Sequence, residues 1–211
     1  MVEFFKTLTD PQSIIQYGGL WLLLFVIFAE TGLFFGFFLP GDNLILITGI
    51  IAATHPEWLY NLPIIIIFLL MIISAITGNM VGYWFGYKVG RGLYQKKDSF
   101  FFKKKHLEAT ERFYQKNGAS TLILGRFIPI IRTFAPIIAG VIKVPVGKFF
   151  LYNILGAVLW IGSLGSIAYY LGKNYAEWIE RNVGIIFITL IIITAIPIIR
   201  TVIKKKTETE K

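Results

Sequence analysis

Hydrophobic runs recur along the whole chain, and they fall into two kinds. Three of them, roughly residues 62–87, 149–172 and 183–203, are long enough to span about 30 Å of hydrocarbon at about 1.5 Å per residue. The others are interrupted. Residues 18–39 are apolar, Pro40 and Gly41 break the segment, and the run 43–53 that follows is too short to span. Residues 119–142 are apolar as well, but hold Pro129 and Pro136 in their interior. The pattern predicts an all-α integral membrane protein.

Charge sets the direction of each span. The link at 53–61 (ATHPEWLYN) has no Lys or Arg, whereas nine of the 21 Lys and Arg residues lie between Lys88 and Lys116 and four more in residues 200–206. By the positive-inside rule, 62–87 runs inward, 183–203 runs inward to a cytoplasmic tail, and 149–172 runs outward. Residues 88–117 and 143–148 (KVPVGK) then share the inner face, so the apolar stretch between them enters and leaves by one side. Each arm about ten residues either side of Arg132 reaches only about 15 Å as helix, half the membrane. Pro129 and Pro136 each remove a backbone donor and push the preceding residue out of the α region, and place breaks where a re-entrant turn needs them.

The first half repeats this plan from the outer face: a hairpin at 18–53 broken at Pro40 and Gly41, then the span 62–87. The expected fold is an inverted repeat of re-entrant hairpin plus transmembrane helix, with repeat one at about 18–87, an amphipathic inner link at 88–118, repeat two at about 119–172 and an additional C-terminal helix at 183–203, all in a single membrane domain. In the link, Leu107, Thr110, Phe113 and Tyr114 fall on one helical face, Gly118 is the expected stop, and residues 100–102 (FFF) are interfacial anchors. Residues 1–17 carry Lys6 as their one basic residue, a poor start for a signal peptide, so the first apolar run is expected to be retained.

Composition narrows the chemistry. The net charge of +9 is confined to the flanks of apolar segments, which points to headgroups rather than nucleic acid. There is no cysteine, and the two histidines, His55 and His106, fall in the outer link and the basic region; no metal or cofactor is expected. Within the apolar segments stand four ionisable residues, Glu30, Asp42, Arg126 and Arg132. Unpaired, they would cost on the order of 10 kcal/mol together. On one continuous helix, Glu30 and Asp42 would lie about 18 Å apart and the two arginines about 9 Å apart. The breaks remove that separation, so two carboxylates can meet two guanidinium groups. Arginine stays charged and grips phosphate oxygens bidentately, while carboxylates in a low-dielectric site can take up protons. Arg126 and Arg132 are thus candidate phosphate ligands, Glu30 and Asp42 candidate gating or proton-coupling groups, and Pro40, Gly41, Pro129, Pro136 and Gly140 the breaks and supports.

The stretches ETGLFFGFFLPGDNL (30–44) and GRFIPIIRTFAPIIAG (125–140) resemble the DedA family, whose shared region is also called the VTT or SNARE-associated domain. The resemblance covers nearly the whole chain and extends to GNMVGYWFGYKVGR (78–91), although Asn79 stands where many members carry an acid. It implies a bacterial inner-membrane protein with two re-entrant hairpins and a part in proton-dependent membrane homeostasis. It also implies that Glu30 and Asp42 match the family's essential acids, and Arg126 and Arg132 its essential arginines. Some members translocate undecaprenyl phosphate inward, and related eukaryotic members scramble phospholipids. The expected function is therefore a non-enzymatic flippase for a lipid phosphate, most of all undecaprenyl phosphate, with protons as possible co-substrate. Four alternatives stay open: a general phospholipid scramblase, a proton-coupled membrane-homeostasis protein without lipid transport, a structural membrane protein that uses the charges as clamps, and an intramembrane lipid phosphatase, for which the histidines are poorly placed.

Overall fold

The computed structural model describes residues 11–33, 41–90, 92, 104–178 and 181. The predicted helix at 183–203, the lysines at 204–206, Pro40 and the aromatic triplet at 100–102 lie outside the described residues. Among the described residues every regular element is helical. The α-helices are α1 (Pro11–Gly32), α2 (Gly41–Thr54), α3 (Ile64–Val89), α4 (Lys104–Asn117), α5 (Thr121–Leu124), α6 (Pro129–Val141) and α7 (Val146–Asn174).

Two helices have the length and apolarity to cross a membrane, α3 with 26 residues and α7 with 29. At 1.5 Å per residue these are about 39 and 44 Å long. Each starts directly after a proline, Pro63 and Pro145, whose extended ψ leads the chain into the first turn. Their outward faces carry large apolar side chains, among them Leu69, Ile73, Leu151, Leu155 and Leu159, all more than two-fifths exposed. In water such a surface would drive aggregation; in hydrocarbon it costs nothing. The other apolar helices, α2 with 14 residues and α6 with 13, reach only about 20 Å. They pack crosswise: α2 lies against α7, the span of the second half, and α6 lies against α3, the span of the first. Helix α1 also lies on α3, and α3 touches α7.

Of the two breaks expected in residues 119–142, the one at Pro129 is present. The chain turns between Gly125 and Ile128, where Ile128 is extended (φ −117°, ψ 109°) as a residue before proline must be. Pro129 opens α6, a position where its missing N–H would have had no partner anyway. Pro136 lies inside α6, and the helix continues through it to Val141. The turns on either side are held by burial of Phe134, Ala135, Ile137, Ile138 and Ala139, so packing outweighs the one lost hydrogen bond. Arg132, expected at the tip of a turn, stands instead in the first turn of α6. The predicted stop at Gly118 follows the end of α4 with φ 58°.

Helix α6 approaches α3 closely because Gly86 and Gly140 leave room for backbone. A side chain at Gly86 would meet the carbonyl oxygen of Ile137, and one at Gly140 the carbonyl oxygen of Tyr83 and the amide of Tyr87. Gly140→Ala is expected to destabilise the protein by about 1–3 kcal/mol, the usual cost of overpacking, since rigid backbone must shift. A thermal midpoint in detergent equal to wild type would show that the two helices do not meet backbone to backbone at Gly140.

Candidate functional site

Three of the four intramembrane charges form one cluster. Arg132 donates from Nη2 to Oε1 of Glu30 and from Nη1 to Oδ1 of Asp42, the latter at 2.6 Å. Glu30 is supplied by the last turns of α1 and Asp42 by the first turn of α2, where the helix dipole favours a carboxylate. Gly41 makes this possible: a Cβ there would overlap the carboxylate of Glu30. Glu30 and Arg132 are buried, whereas Asp42 keeps 30% of its side-chain surface exposed. A buried guanidinium with both terminal nitrogens on carboxylates is well compensated, and removing either side would strand the other.

Arg126 is placed differently. It sits in the short 3-10 turn Gly125–Phe127 ahead of the break and is 2% exposed. Its Nη2 donates to the side-chain oxygen of Asn153 at 2.5 Å and to the main-chain oxygen of the same residue at 3.3 Å. Among the described residues no carboxylate pairs with it, and its Nε and Nη1 have no hydrogen-bond partner. The expected two-against-two pairing is thus two carboxylates on Arg132, with Arg126 on neutral amides. Asn79 completes the amide group: its nitrogen donates to Asn153 Oδ1 at 2.7 Å. With the amide turned over, that nitrogen donates to the Thr31 carbonyl at 3.0 Å and the oxygen accepts from Arg126 Nη2 at 2.7 Å.

One helix joins the two groups. Trp160 of α7 donates its indole N–H to Asp42 Oδ1 at 2.9 Å, and its ring centroid lies 4.7 Å from Arg132 Cζ and 5.7 Å from Arg126 Cζ. Both distances fall within cation–π range. Asn153 and Trp160 were not singled out in the sequence. The signal was there in weak form: a polar Asn inside LYNILGAVLW (151–160), and a Trp in mid-span rather than at a membrane interface, where Trp is common. A crevice lined by Asn79, Thr121, Leu122, Gly125, Arg126, Arg132, Ala135 and Pro136 opens beside both arginines, too narrow to take a water molecule.

The remaining candidates stand apart from this chemistry. Gly140 and Pro136 shape α6, and Pro129 starts it. His55 pairs with Glu57 at 3.1 Å and stacks on Trp58 in the exposed link, while His106 is on α4; neither element supplies a charge to the cluster.

Comparison with known proteins places this arrangement. The model of the VTT domain matches residues 22–172, a stretch that contains every residue of the cluster. The chain is 34% identical over 191 residues to Protein DedA of Escherichia coli (strain K12), with 89% of this chain and 85% of that protein covered. It is 31% identical over 188 residues to an uncharacterized membrane protein of Mycobacterium leprae (strain TN), covering 86% and 80%. A third similar protein, an uncharacterized membrane protein of Synechocystis sp. (strain ATCC 27184 / PCC 6803 / Kazusa), is 32% identical over 172 residues, with 81% and 75% covered. No solved structure matches the chain.

Proposed function

This chain belongs to the DedA family of VTT-domain membrane proteins, and from that premise we propose that it carries a lipid phosphate, most of all undecaprenyl phosphate, across the bacterial inner membrane. The observation that carries the reading is Arg126: a buried guanidinium with no carboxylate paired to it among the described residues and with Nε and Nη1 unfilled. A phosphate oxygen fits the open Nη1 as acceptor of a charge-assisted hydrogen bond. Arg132 next to it is held on Glu30 and Asp42, and proton uptake by either carboxylate frees one of its nitrogens for the same phosphate. Carboxylates then act as the gate, arginines as the ligands. The crevice beside them is too narrow to take a water molecule, so the helices that line it have to move apart for a headgroup to enter.

The inverted repeat belongs to this proposal. The crosswise packing of α2 on α7 and of α6 on α3 supports two related halves whose short helices are the inner arms of re-entrant hairpins, with the site where broken helices meet. In this topology the link after α3 and the C-terminal tail face the cytoplasm. Cysteines placed singly at Glu57 and Lys104 are expected to react oppositely with an impermeant thiol reagent in intact cells; equal reaction would overturn the orientation.

The deciding experiment is reconstitution into liposomes with a polyprenyl phosphate accessible to an added enzyme from one side only. Equilibration of that lipid between leaflets without loss of its phosphate is the expected result. Released phosphate would make the protein a lipid phosphatase, equal movement of ordinary phospholipids a scramblase, and no movement a structural protein. The double variant Glu30→Gln, Asp42→Asn keeps the shapes and most hydrogen bonds but cannot titrate. It is expected to insert normally and to show transport, if any remains, that no longer varies with pH. A pH profile unchanged from wild type would remove the carboxylates from the gate.

A further inference from the structure

We infer that Trp160 is a positioning residue that couples the Glu30–Asp42–Arg132 cluster to Arg126, an inference that rests on the phosphate reading of Arg126 above. Its indole N–H and Arg132 Nη1 share one acceptor, Asp42 Oδ1, at 2.9 and 2.6 Å. Its ring lies under both guanidinium groups and is 1% exposed, so no solvent competes for either contact. Trp160 does not stand alone on α7. Asn153, Gly156 and Trp160 recur at helical spacing on one face, and Arg126 lies along it. Asn153 takes its Nη2, and a Cβ at Gly156 would come within 2.9 Å of its Nε. This stripe therefore holds the arginine from one side, through Nη2 and along Nε, and leaves Nη1, which has no partner, for a ligand.

The consequence is a mechanical link. Two like charges lie against one indole ring, and the same indole is tethered through its N–H to the carboxylate that holds one of them. An anion that draws Arg126 forward removes one cation from the ring. A change at Asp42 releases the N–H and lets the indole reorient beneath both. Ligand occupancy and the state of the carboxylate pair thus meet at one side chain.

The test uses a full-length protein in which Trp21, Trp58, Trp84 and Trp178 are replaced by Phe, leaving Trp160 as its single tryptophan. Farnesyl phosphate is the probe, with farnesol and inorganic phosphate as controls, and calorimetry measures binding independently of fluorescence. Trp160 emission is expected to change in parallel with calorimetric binding, to ignore farnesol, and to lose its response in Arg126→Leu. Binding without any response of Trp160 would overturn the inference and leave the phosphate reading standing; no binding would overturn both. An equal response to inorganic phosphate would move the ligand to the free anion while supporting the Trp160 link.

A double-mutant cycle supplies the second arm. Trp160→Phe keeps the ring and loses the N–H. Asp42→Asn is expected to change farnesyl phosphate affinity about tenfold when Trp160 is present and less than about twofold in the Trp160→Phe background. A merely structural role would lower both affinities alike and leave the ratio untouched, so equal effects in the two backgrounds would overturn the coupling.

Discussion

Arg126→Lys is expected to insert and fold like wild type and to lose about 10²-fold in lipid-phosphate transport, the factor held by ~3 kcal/mol of charge-assisted hydrogen bonding. The reason lies in what Arg126 touches. No carboxylate depends on it among the described residues, so folding does not need its fork. Lysine preserves the charge but not the planar array of N–H donors that lets one side chain hold Asn153 and a phosphate at once. Arg126→Leu goes further: it removes a buried cation with two unfilled nitrogens, so its stability should equal or exceed wild type while transport disappears. Near-normal transport by the lysine variant would defeat the phosphate site. A large loss of folded protein in the leucine variant would show that Arg126 is a structural clamp.

Arg132 should behave in the opposite way. Arg132→Leu strands two carboxylates, one of them fully buried, and breaking a buried pair typically costs about 3–5 kcal/mol. Against a total stability of about 5–15 kcal/mol that is enough to deplete the folded protein. Adding Glu30→Gln and Asp42→Asn removes the stranded charges, and the triple variant is expected to recover its thermal midpoint and monodispersity in detergent without recovering transport. Wild-type stability of the single Arg132→Leu variant would mean that the two acids find other partners. The contrast between the arginines is the point: one is a keystone, the other a ligand, although they are six residues apart in one segment.

That contrast was not legible in the sequence, and the reason is a matter of register. Proline in an apolar run announces a break, and the one near residue 129 is where the chain turns and a helix restarts. Which side of Pro129 the turn falls on decides which arginine looks toward the acids. A break at Pro129 alone leaves both guanidinium groups free to reach the acids; the start of α6 at that residue assigns Arg132 to the helix and Arg126 to the turn before it. Pro136 misled for a different reason, because tertiary packing of the surrounding turns decides whether a helix survives a missing donor. The charges announced themselves, since each is costly in an apolar segment. Asn153 and Trp160 did not, because a neutral amide and an indole hardly alter the hydropathy of a long span; their meaning comes only from what packs on them.

The crosswise packing of the two halves has a consequence for how the protein is made. Arg132 is 102 residues after Glu30 and 90 after Asp42. At about 5–20 residues per second, a ribosome delivers the arginine roughly 5–20 s after the acids. Throughout that interval the two carboxylates lack the guanidinium that holds them in the folded protein, and α2 lacks the α7 surface on which it will rest. The charge cluster therefore cannot close until the second half has been made, and the packing of the first half is completed by the second.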